Sequence, residues 1–599
     1  MFVLIFTCVF FVQNAFAQSQ TSITALGDAQ AAQRYVSWVK QAIAEGRYAE
    51  ALAGLERASD FANVSSDISY LLAVVSFRKG KSRRYAIDAL DKALEINRWV
   101  DYNESHALLL KAEHLIAMRR YTSAIFCLDR IAVSIPAALS ADAVMQRLLA
   151  FRGLAINPFA AEGYDPAQAL VGFRSLMVSA MDRFPRDPRP LEIFFGYARN
   201  KKPDPLGDFD LLELVLRRLP FLLDVNSELA WMAAPFVRDV NEARRLTASY
   251  RAGGIPNVQN RDFKPSMNSI PVALNLGLLD DNAATDELFS GTRGFNSPLP
   301  PGITANGNPV LEMGVITEVY ALLRSEEGRE YFTQRLHAFT GTIIHDYDND
   351  GFFDSQSLYR DGSIRGFALD RNQENSFDFS LSFSVDGAPQ EAGIPVIGHD
   401  AVAKVQWEKY PSVMRIILAG ETFSFRPADF QFAPVEFIMI GGSRRITGLA
   451  YPAYAQNHTE LTRRSMLSFC ASLSRPSVEF DGAVELIFFE NALPKQAVET
   501  LNGKQVSVTE FERGVPVIQY IDLDLDGRME TIRRFHGANF QPPETGREFD
   551  FRAFIASSES DWSGDGRFKT GEVYSEDGSV VYSWDMDGSG VMNYYETEN

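Results

Sequence analysis

Four segments in the second half of the chain repeat one acidic pattern, and no other feature restricts the local backbone as strongly. Each segment has oxygen-bearing side chains at positions 1, 3 and 5 and a glycine at position 6; the four begin at Asp346, Asp522, Asp561 and Asp585. These side chains converge only if the chain curls tightly, and glycine allows a turn that a Cβ would obstruct. Such a curl suits Ca²⁺, which takes about six to eight oxygen ligands. The pattern therefore predicts four calcium-type loops.

The candidate calcium ligands follow from the position of each residue in its loop. A fourth oxygen-bearing side chain, an acid in every loop, stands at position 9 in the first two loops and at position 12 in the last two. The backbone carbonyl at position 7 adds one more oxygen, which Phe352 supplies in the first loop. The predicted ligands are Asp346, Asp348, Asp350, Phe352 and Asp354; Asp522, Asp524, Asp526 and Glu530; Asp561, Ser563, Asp565 and Glu572; and Asp585, Asp587, Ser589 and Glu596.

The last two loops resemble the calcium loop of EF-hand proteins, because Glu572 and Glu596 occupy position 12. Their flanks differ from that family, since Ser579–Trp584 is rich in residues that favour strands. The first two loops, with the acid at position 9, resemble the calcium loops on β-hairpins of FG-GAP and integrin-type propeller repeats. These resemblances imply calcium held on a β scaffold. The alternative is a set of acidic hairpin turns that hold no ion.

A longer repeat around the loops predicts a β-meander. A weakened copy of the acidic pattern starts at Asp370, and neighbouring copies enclose an Asp-Gly step, Asp361-Gly362 or Asp577-Gly578. An Asp-Gly step between residues that favour strands is a strong hairpin signal. The unit is thus an acidic loop, a strand, a tight turn, a second strand and another acidic loop.

The N-terminal part, residues 28–140, is predicted to form repeated helix pairs. Three segments have alanine and leucine at matching places, a period close to the roughly 34 residues of tetratricopeptide repeats. These segments resemble the second helix of such a repeat. The resemblance implies an all-α solenoid whose groove binds a protein or an extended peptide. The matching pairs are Ala51 with Leu55, Ala86 with Leu90, and Ala124 with Leu128.

The rest of the chain is assigned by its periodicity. Residues 155–290 predict further helical hairpins, 291–309 a linker rich in proline and glycine, and 310–336 one helix. Strands follow, with one helix among them at Glu460–Ser472. The fold class is α+β multidomain, an N-terminal all-α helical-repeat solenoid followed by a mainly β domain over 310–599. The predicted strands are Ser380–Val385, Met414–Leu418, Val435–Ile440, Ala483–Phe489 and Val517–Ile521.

The start of the chain predicts export. Phe2–Val12 is apolar apart from Thr7, and Ala15-Phe16-Ala17 is a typical cleavage site, so residues 1–17 are predicted to be a signal peptide. The mature chain is expected to have no transmembrane segment and to be periplasmic, bound to the cell envelope or extracellular. A net charge of −19 argues against a nucleic-acid partner, which requires a basic surface.

Catalytic motifs are scarce in the sequence, where Ser76-Phe-Arg-Lys79 matches Ser-x-x-Lys but falls on a predicted repeat helix. The sequence lacks His-Glu-x-x-His, Gly-x-Ser-x-Gly and the glycine patterns that bind phosphate or dinucleotides. The sequence therefore favours an exported, non-enzymatic protein-binding scaffold with a calcium-stabilised β domain. The alternative is a cell-envelope hydrolase that acts on polysaccharide or peptidoglycan and uses the repeats as a docking arm. Two carboxylates about 5–10 Å apart in a cleft would favour that alternative.

Overall fold

The structure is a computed structural model that divides into two compact units between Phe377 and Asp378. Helices dominate the first unit and strands the second. The sequence pattern predicted that the mainly β domain begins earlier, at residue 310. The structure describes residues 30–58, 65–78, 82–131, 137–156, 165–200, 209–253, 263–290, 309–346, 351–370, 377–399, 401–434, 460–537, 554–575 and 579–598.

The described helices of the first unit confirm the helical half of the predicted fold class. Two short 3-10 segments, Leu219–Phe221 and Ala234–Phe236, extend α10 and α11. The helices are α1 (30–44), α2 (Tyr48–Arg57), α3 (Ser66–Arg78), α4 (Arg83–Ile96), α5 (Glu104–Ala117), α6 (Tyr121–Arg130), α7 (Ala137–Ile156), α8 (Pro166–Arg183), α9 (Arg189–Asn200), α10 (Phe209–Arg218), α11 (Glu228–Ala233), α12 (Val240–Arg251), α13 (Ser269–Asn275), α14 (Asp281–Phe289), α15 (Met313–Leu322) and α16 (Glu326–His337).

The first helices pack as the pairs that the alanine pattern predicted. Ala51, Ala86 and Ala124 are all fully buried, as expected of small residues where helices touch. Gly54 in α2 shows how close this approach is, because a Cβ there would lie 2.1 Å from the Trp38 ring of α1. The burial of these small residues confirms repeated helix pairs in this part of the chain.

Side-chain caps set several helix starts. Ser82 accepts a hydrogen bond from the Tyr85 N–H at the start of α4, and Asn103 accepts one from the His106 N–H at the start of α5. Asp165 does the same before α8, where Pro166 occupies the first turn. Each cap satisfies a backbone donor that has no partner within its own helix.

Four strands complete the first unit, and they correct the prediction of one helix over 310–336. β1 pairs in parallel with β2, and β2, β3 and β4 then pair in antiparallel order. The helical stretch is also divided, because Leu323 has an extended backbone and Ser325 caps a new helix. The strands are β1 (Val310–Glu312), β2 (Gly341–His345), β3 (Ser355–Arg360) and β4 (Ser363–Leu369).

The second unit is an antiparallel meander in which each strand pairs with the next one along the chain. A short helix, α17 (Arg463–Phe469), lies between β9 and β10. The strands are β5 (Phe379–Phe383), β6 (Pro389–Pro395), β7 (Val402–Lys409), β8 (Ser412–Leu418), β9 (Glu421–Ser424), β10 (Ser472–Pro476), β11 (Val484–Glu490), β12 (Leu493–Leu501), β13 (Lys504–Glu512), β14 (Val515–Ile521), β15 (Thr531–Phe535), β16 (Ile555–Ser560), β17 (Thr570–Tyr574), β18 (Val580–Trp584) and β19 (Tyr594–Glu598).

The meander places three of the acidic loops at one edge of the sheet, the edge formed by the ends of successive strands. In a chain of consecutive antiparallel strands, every second connection lies at the same edge. The loops 522–530, 561–569 and 585–593 follow β14, β16 and β18, so they are neighbours along that edge. We call this row the acidic edge.

Most sequence-predicted strands and turns agree with the structure. Four of the five predicted strands overlap β5, β8, β11 and β14, and the predicted helix near Glu460 is the shorter α17. Asp361 and Gly362 form the predicted turn, with φ values of 50° and 70°. The predicted strand Val435–Ile440, the signal peptide, most of the linker and Asp577-Gly578 lie outside the described residues.

Among the described residues, no helix combines the length and the apolar character needed to span a membrane.

Candidate metal centre

All four acidic loops close with the same hydrogen bond. The N–H of the position-6 glycine donates to Oδ2 of the position-1 aspartate, at 2.9 Å from Gly351 to Asp346 and 2.9 Å from Gly527 to Asp522. The same bond measures 2.6 Å in the loop at 561 and 2.8 Å in the loop at 585. The position-1 carboxylate is thereby held at the centre of each loop.

Position 6 requires a backbone that favours glycine, because Gly527 has a φ of 98°. Changing Gly527 to Ala should therefore destabilise the second unit by about 1–2 kcal/mol, because a Cβ is strained at this φ. Urea unfolding followed by tryptophan fluorescence would measure the change. Gly537→Ala is the matched control, since that glycine has an ordinary φ and open space around it. Equal effects of the two substitutions would contradict this account.

Basic side chains join neighbouring loops of the acidic edge. Arg528 Nη1 donates to the carbonyl of Gly564 at 3.5 Å, and Arg567 Nη1 donates to the carbonyl of Gly588 at 3.1 Å. Both carbonyls belong to position 4 of their loops, where the backbone is left-handed. These bonds hold the loops in a fixed row.

The loop at 522 brings four carboxylates together. Oxygens of Asp522, Asp524, Asp526 and Glu530 all lie within 4.8 Å of one another, close enough together to hold a metal ion, and they form the one such group among the described residues. Asp522 is only 2% exposed, whereas Asp524 and Asp526 are exposed. Oδ1 of Asp522 is buried and has no hydrogen-bond partner among the described residues. The loop therefore has a buried anionic oxygen at its centre and an open side.

The loop at 585 has a neutral side chain at position 9, where the loop at 522 has an acid. Asn593 stands at position 9, and its Oδ1 accepts a hydrogen bond from the Met586 N–H at 2.9 Å. Glu530 accepts the corresponding bond from the Leu523 N–H at 3.3 Å. Sequence reasoning missed Asn593, although its offset from Asp585 equals that of Glu530 from Asp522. Two hydrogen bonds from Ser589 lower the pKa of Asp587.

The loop at 561 contains its own cation. Lys569 stands at position 9, with Nζ 3.1 Å from Asp565 Oδ2 and 3.9 Å from Oδ2 of Asp585 in the next loop. The hydrogen bond from Lys569 lowers the pKa of Asp565. The Lys569 ammonium group thus offsets the negative charge of the loop carboxylates. In a calcium loop, a metal ion does this.

The two position-12 glutamates lie in strands rather than beside the carboxylates of their loops. Glu572 is in the middle of β17, where it accepts a hydrogen bond from the Tyr574 hydroxyl. Glu596 is in the middle of β19, opposite Tyr582. The side chain of Ser563 remains in its loop and donates to Asp561 Oδ1 at 3.1 Å.

The first loop is tied to the helices of its own unit. Asp354, at position 9, is buried and forms an ion pair with Arg119 in the turn between α5 and α6. Phe352 packs against a core cluster that includes Leu108 and Tyr121. Asp348 and Asp350 lie outside the described residues. The acid that was predicted as a calcium ligand thus has a guanidinium partner.

Two other buried acids in the second unit form an ion pair or hydrogen bonds with neighbouring side chains. Arg475 Nε lies 2.6 Å from Glu485, and the Ser477 hydroxyl donates to Glu499 at 2.6 Å. Burial raises the pKa of Glu499, against the hydrogen bonds from Ser477 and Ser507. This network favours a structural role for both glutamates.

The fold and the loops define a class of protein, a solenoid of helix pairs joined to a β-meander with acidic hairpin loops. Comparison with protein-family sequence profiles finds no match. An uncharacterised protein of Treponema pallidum (strain Nichols) is 20% identical over 652 residues, spanning 92% of this chain and 77% of that protein.

Several solved structures share local similarity with the chain. A tetratricopeptide repeat protein from Parabacteroides merdae is 12% identical, with a TM-score of 0.31, and the match covers 45% of this chain and 95% of that one. The tetratricopeptide repeat domain of P58(IPK) is 13% identical, with a TM-score of 0.19, covering 51% and 91%. The pilF protein of Pseudomonas aeruginosa is 15% identical, with a TM-score of 0.26, covering 38% and 92%.

Proposed function

We propose that this protein is an exported, non-enzymatic binding scaffold whose helical repeats hold a protein or an extended peptide and whose β-meander binds calcium. The paired helices with buried alanines support the first part, because stacked helix pairs leave a long groove suited to an extended ligand. The apolar start of the chain and its Ala-x-Ala sequence support export.

The calcium part depends above all on Oδ1 of Asp522. A buried anionic oxygen without a partner is unfavourable, and here three more carboxylates converge on the same point. A hard divalent cation would satisfy all four groups and relieve their mutual repulsion. The exposed side of Asp524 and Asp526 would leave the remaining coordination positions to water or to a ligand.

Isothermal titration of the full mature chain with Ca²⁺ tests this proposal. We expect saturable binding with wild-type protein and strongly weakened binding with Asp522→Asn, which keeps the size of the side chain and removes its charge. Asp429→Asn, an exposed aspartate of the same unit away from the loops, is the control. Absence of binding heat from the wild type at millimolar Ca²⁺ would disprove the calcium site.

The lysine of the loop at 561 yields a second test. Lys569→Glu removes the internal cation and places an acid at position 9, as in the loop at 522. We expect this variant to bind one additional Ca²⁺, because its loop then offers Asp561, Asp565 and the new carboxylate. Titration stoichiometry measures the gain, with Lys495→Glu as the control for a change of surface charge. An unchanged stoichiometry would mean that position 9 does not decide occupancy.

A further inference from the structure

Each loop of the acidic edge presents a large apolar side chain to solvent at position 2. These residues are Leu523, Trp562 and Met586, with exposed fractions of 64%, 72% and 74%. The last loop adds Val591, which is 67% exposed. Side chains that size are usually buried, so their recurrence at one position of three neighbouring loops indicates an interaction surface.

The spacing of these side chains distinguishes between kinds of partner. Neighbouring strands lie about 4.8 Å apart. The exposed side chains belong to loops at every second connection, so they are roughly 10 Å apart. The same loops also expose acids, including Asp524 and Asp526 beside Leu523. A protein partner buries a contiguous apolar centre, which this row does not offer. Separate apolar side chains can each insert into a fluid lipid surface, and tryptophan is enriched at membrane interfaces.

The charge of the edge makes such docking depend on a bound cation. The loops contain more carboxylates than basic groups, so the metal-free edge repels an anionic membrane. A Ca²⁺ ion at Asp522 would cancel two of the four carboxylate charges of that loop, and the exposed sides of Asp524 and Asp526 leave coordination positions open toward solvent. Phosphate oxygens of a lipid headgroup have the chemistry to fill those positions.

We propose that the acidic edge docks on anionic phospholipid headgroups in a calcium-dependent manner, with the loop at 522 bridging to phosphate through Ca²⁺ and with Leu523, Trp562 and Met586 inserted among the lipids. This proposal rests on the calcium site proposed above. It assigns a membrane-surface role to the β unit and leaves the repeats available for a protein.

Co-sedimentation of the full mature chain with lipid vesicles tests the docking. The probes are vesicles of phosphatidylglycerol with phosphatidylcholine and vesicles of phosphatidylcholine alone, each with Ca²⁺ or with a chelator. We expect binding only with anionic lipid and Ca²⁺ together. Trp562→Ser and Met586→Ser should each weaken it about tenfold, since each loses the burial of a large apolar side chain. Val402→Ser, at an exposed valine elsewhere in the unit, should bind as wild type.

Calcium titration of the same samples separates this proposal from the one on which it rests. Protein that binds Ca²⁺ but stays in the supernatant with every vesicle would overturn the docking and leave the calcium site standing. Sedimentation that persists in chelator, or that Trp562→Ser and Met586→Ser leave unchanged, would also overturn it. A wild-type protein that gives no heat of binding on titration with Ca²⁺ would overturn both the calcium site and the docking.

Discussion

Saturating Ca²⁺ is expected to stabilise the second unit by about 2.7 kcal/mol for each filled site, when the free ion is a hundred times the dissociation constant. The reason is that unfolding disperses the carboxylates of Asp522, Asp524, Asp526 and Glu530, which the folded loop holds within 4.8 Å. Binding energy therefore adds to folding energy. Thermal unfolding followed by circular dichroism, with Ca²⁺ and with chelator, measures this difference, and the β signal should respond much more than the helical one.

Asp524→Ala should remove most of the calcium response, because it deletes one of the four converging ligands without touching the buried Asp522. Asp429→Ala, at an exposed aspartate outside the loops, should keep the full response. A melting curve that is the same in millimolar Ca²⁺ and in chelator would leave the loops as acidic hairpin turns without an ion.

Removing one charge from the Arg119–Asp354 pair should destabilise the first unit by about 3–5 kcal/mol, because the other charge stays buried and loses this ion pair. The side chains of the two residues are only 5% and 9% exposed. Asp354→Asn is the informative variant, since it keeps the shape of the side chain. Urea unfolding of the full chain, followed by helical circular dichroism, would measure the loss.

Two further variants test the assignment of that loss to the buried charge. The double variant Arg119→Met with Asp354→Leu should recover much of the stability, because neither charge then remains buried. Arg217→Met is the control, since its pair with Glu213 is largely exposed and contributes about 1 kcal/mol or less. A loss from Asp354→Asn no larger than that of the control would show that the pair does not hold this loop.

Most of the helical pattern was predictable because it depends on local spacing. Ala51, Ala86 and Ala124 were identified from a repeated alanine, and the structure buries all three. Strands were harder to find. β12 begins Leu493-Pro-Lys and contains the buried Glu499, a composition that favours no particular element by itself. Pairing with β11 and β13 makes it a strand, and the sequence does not show those neighbours.

The form of the acidic loops was determined by sequence alone. The bond from the Gly527 N–H to Asp522, and its counterparts in the other loops, joins residues five apart, so a short segment suffices to specify it. The surroundings of the acids at positions 9 and 12 were decided only by tertiary structure. Arg119 reaches Asp354 from more than two hundred residues away in the chain, an association that no local pattern contains. Strand pairing likewise keeps Glu572 in β17, where its backbone register, rather than its position in a motif, sets the direction of the side chain.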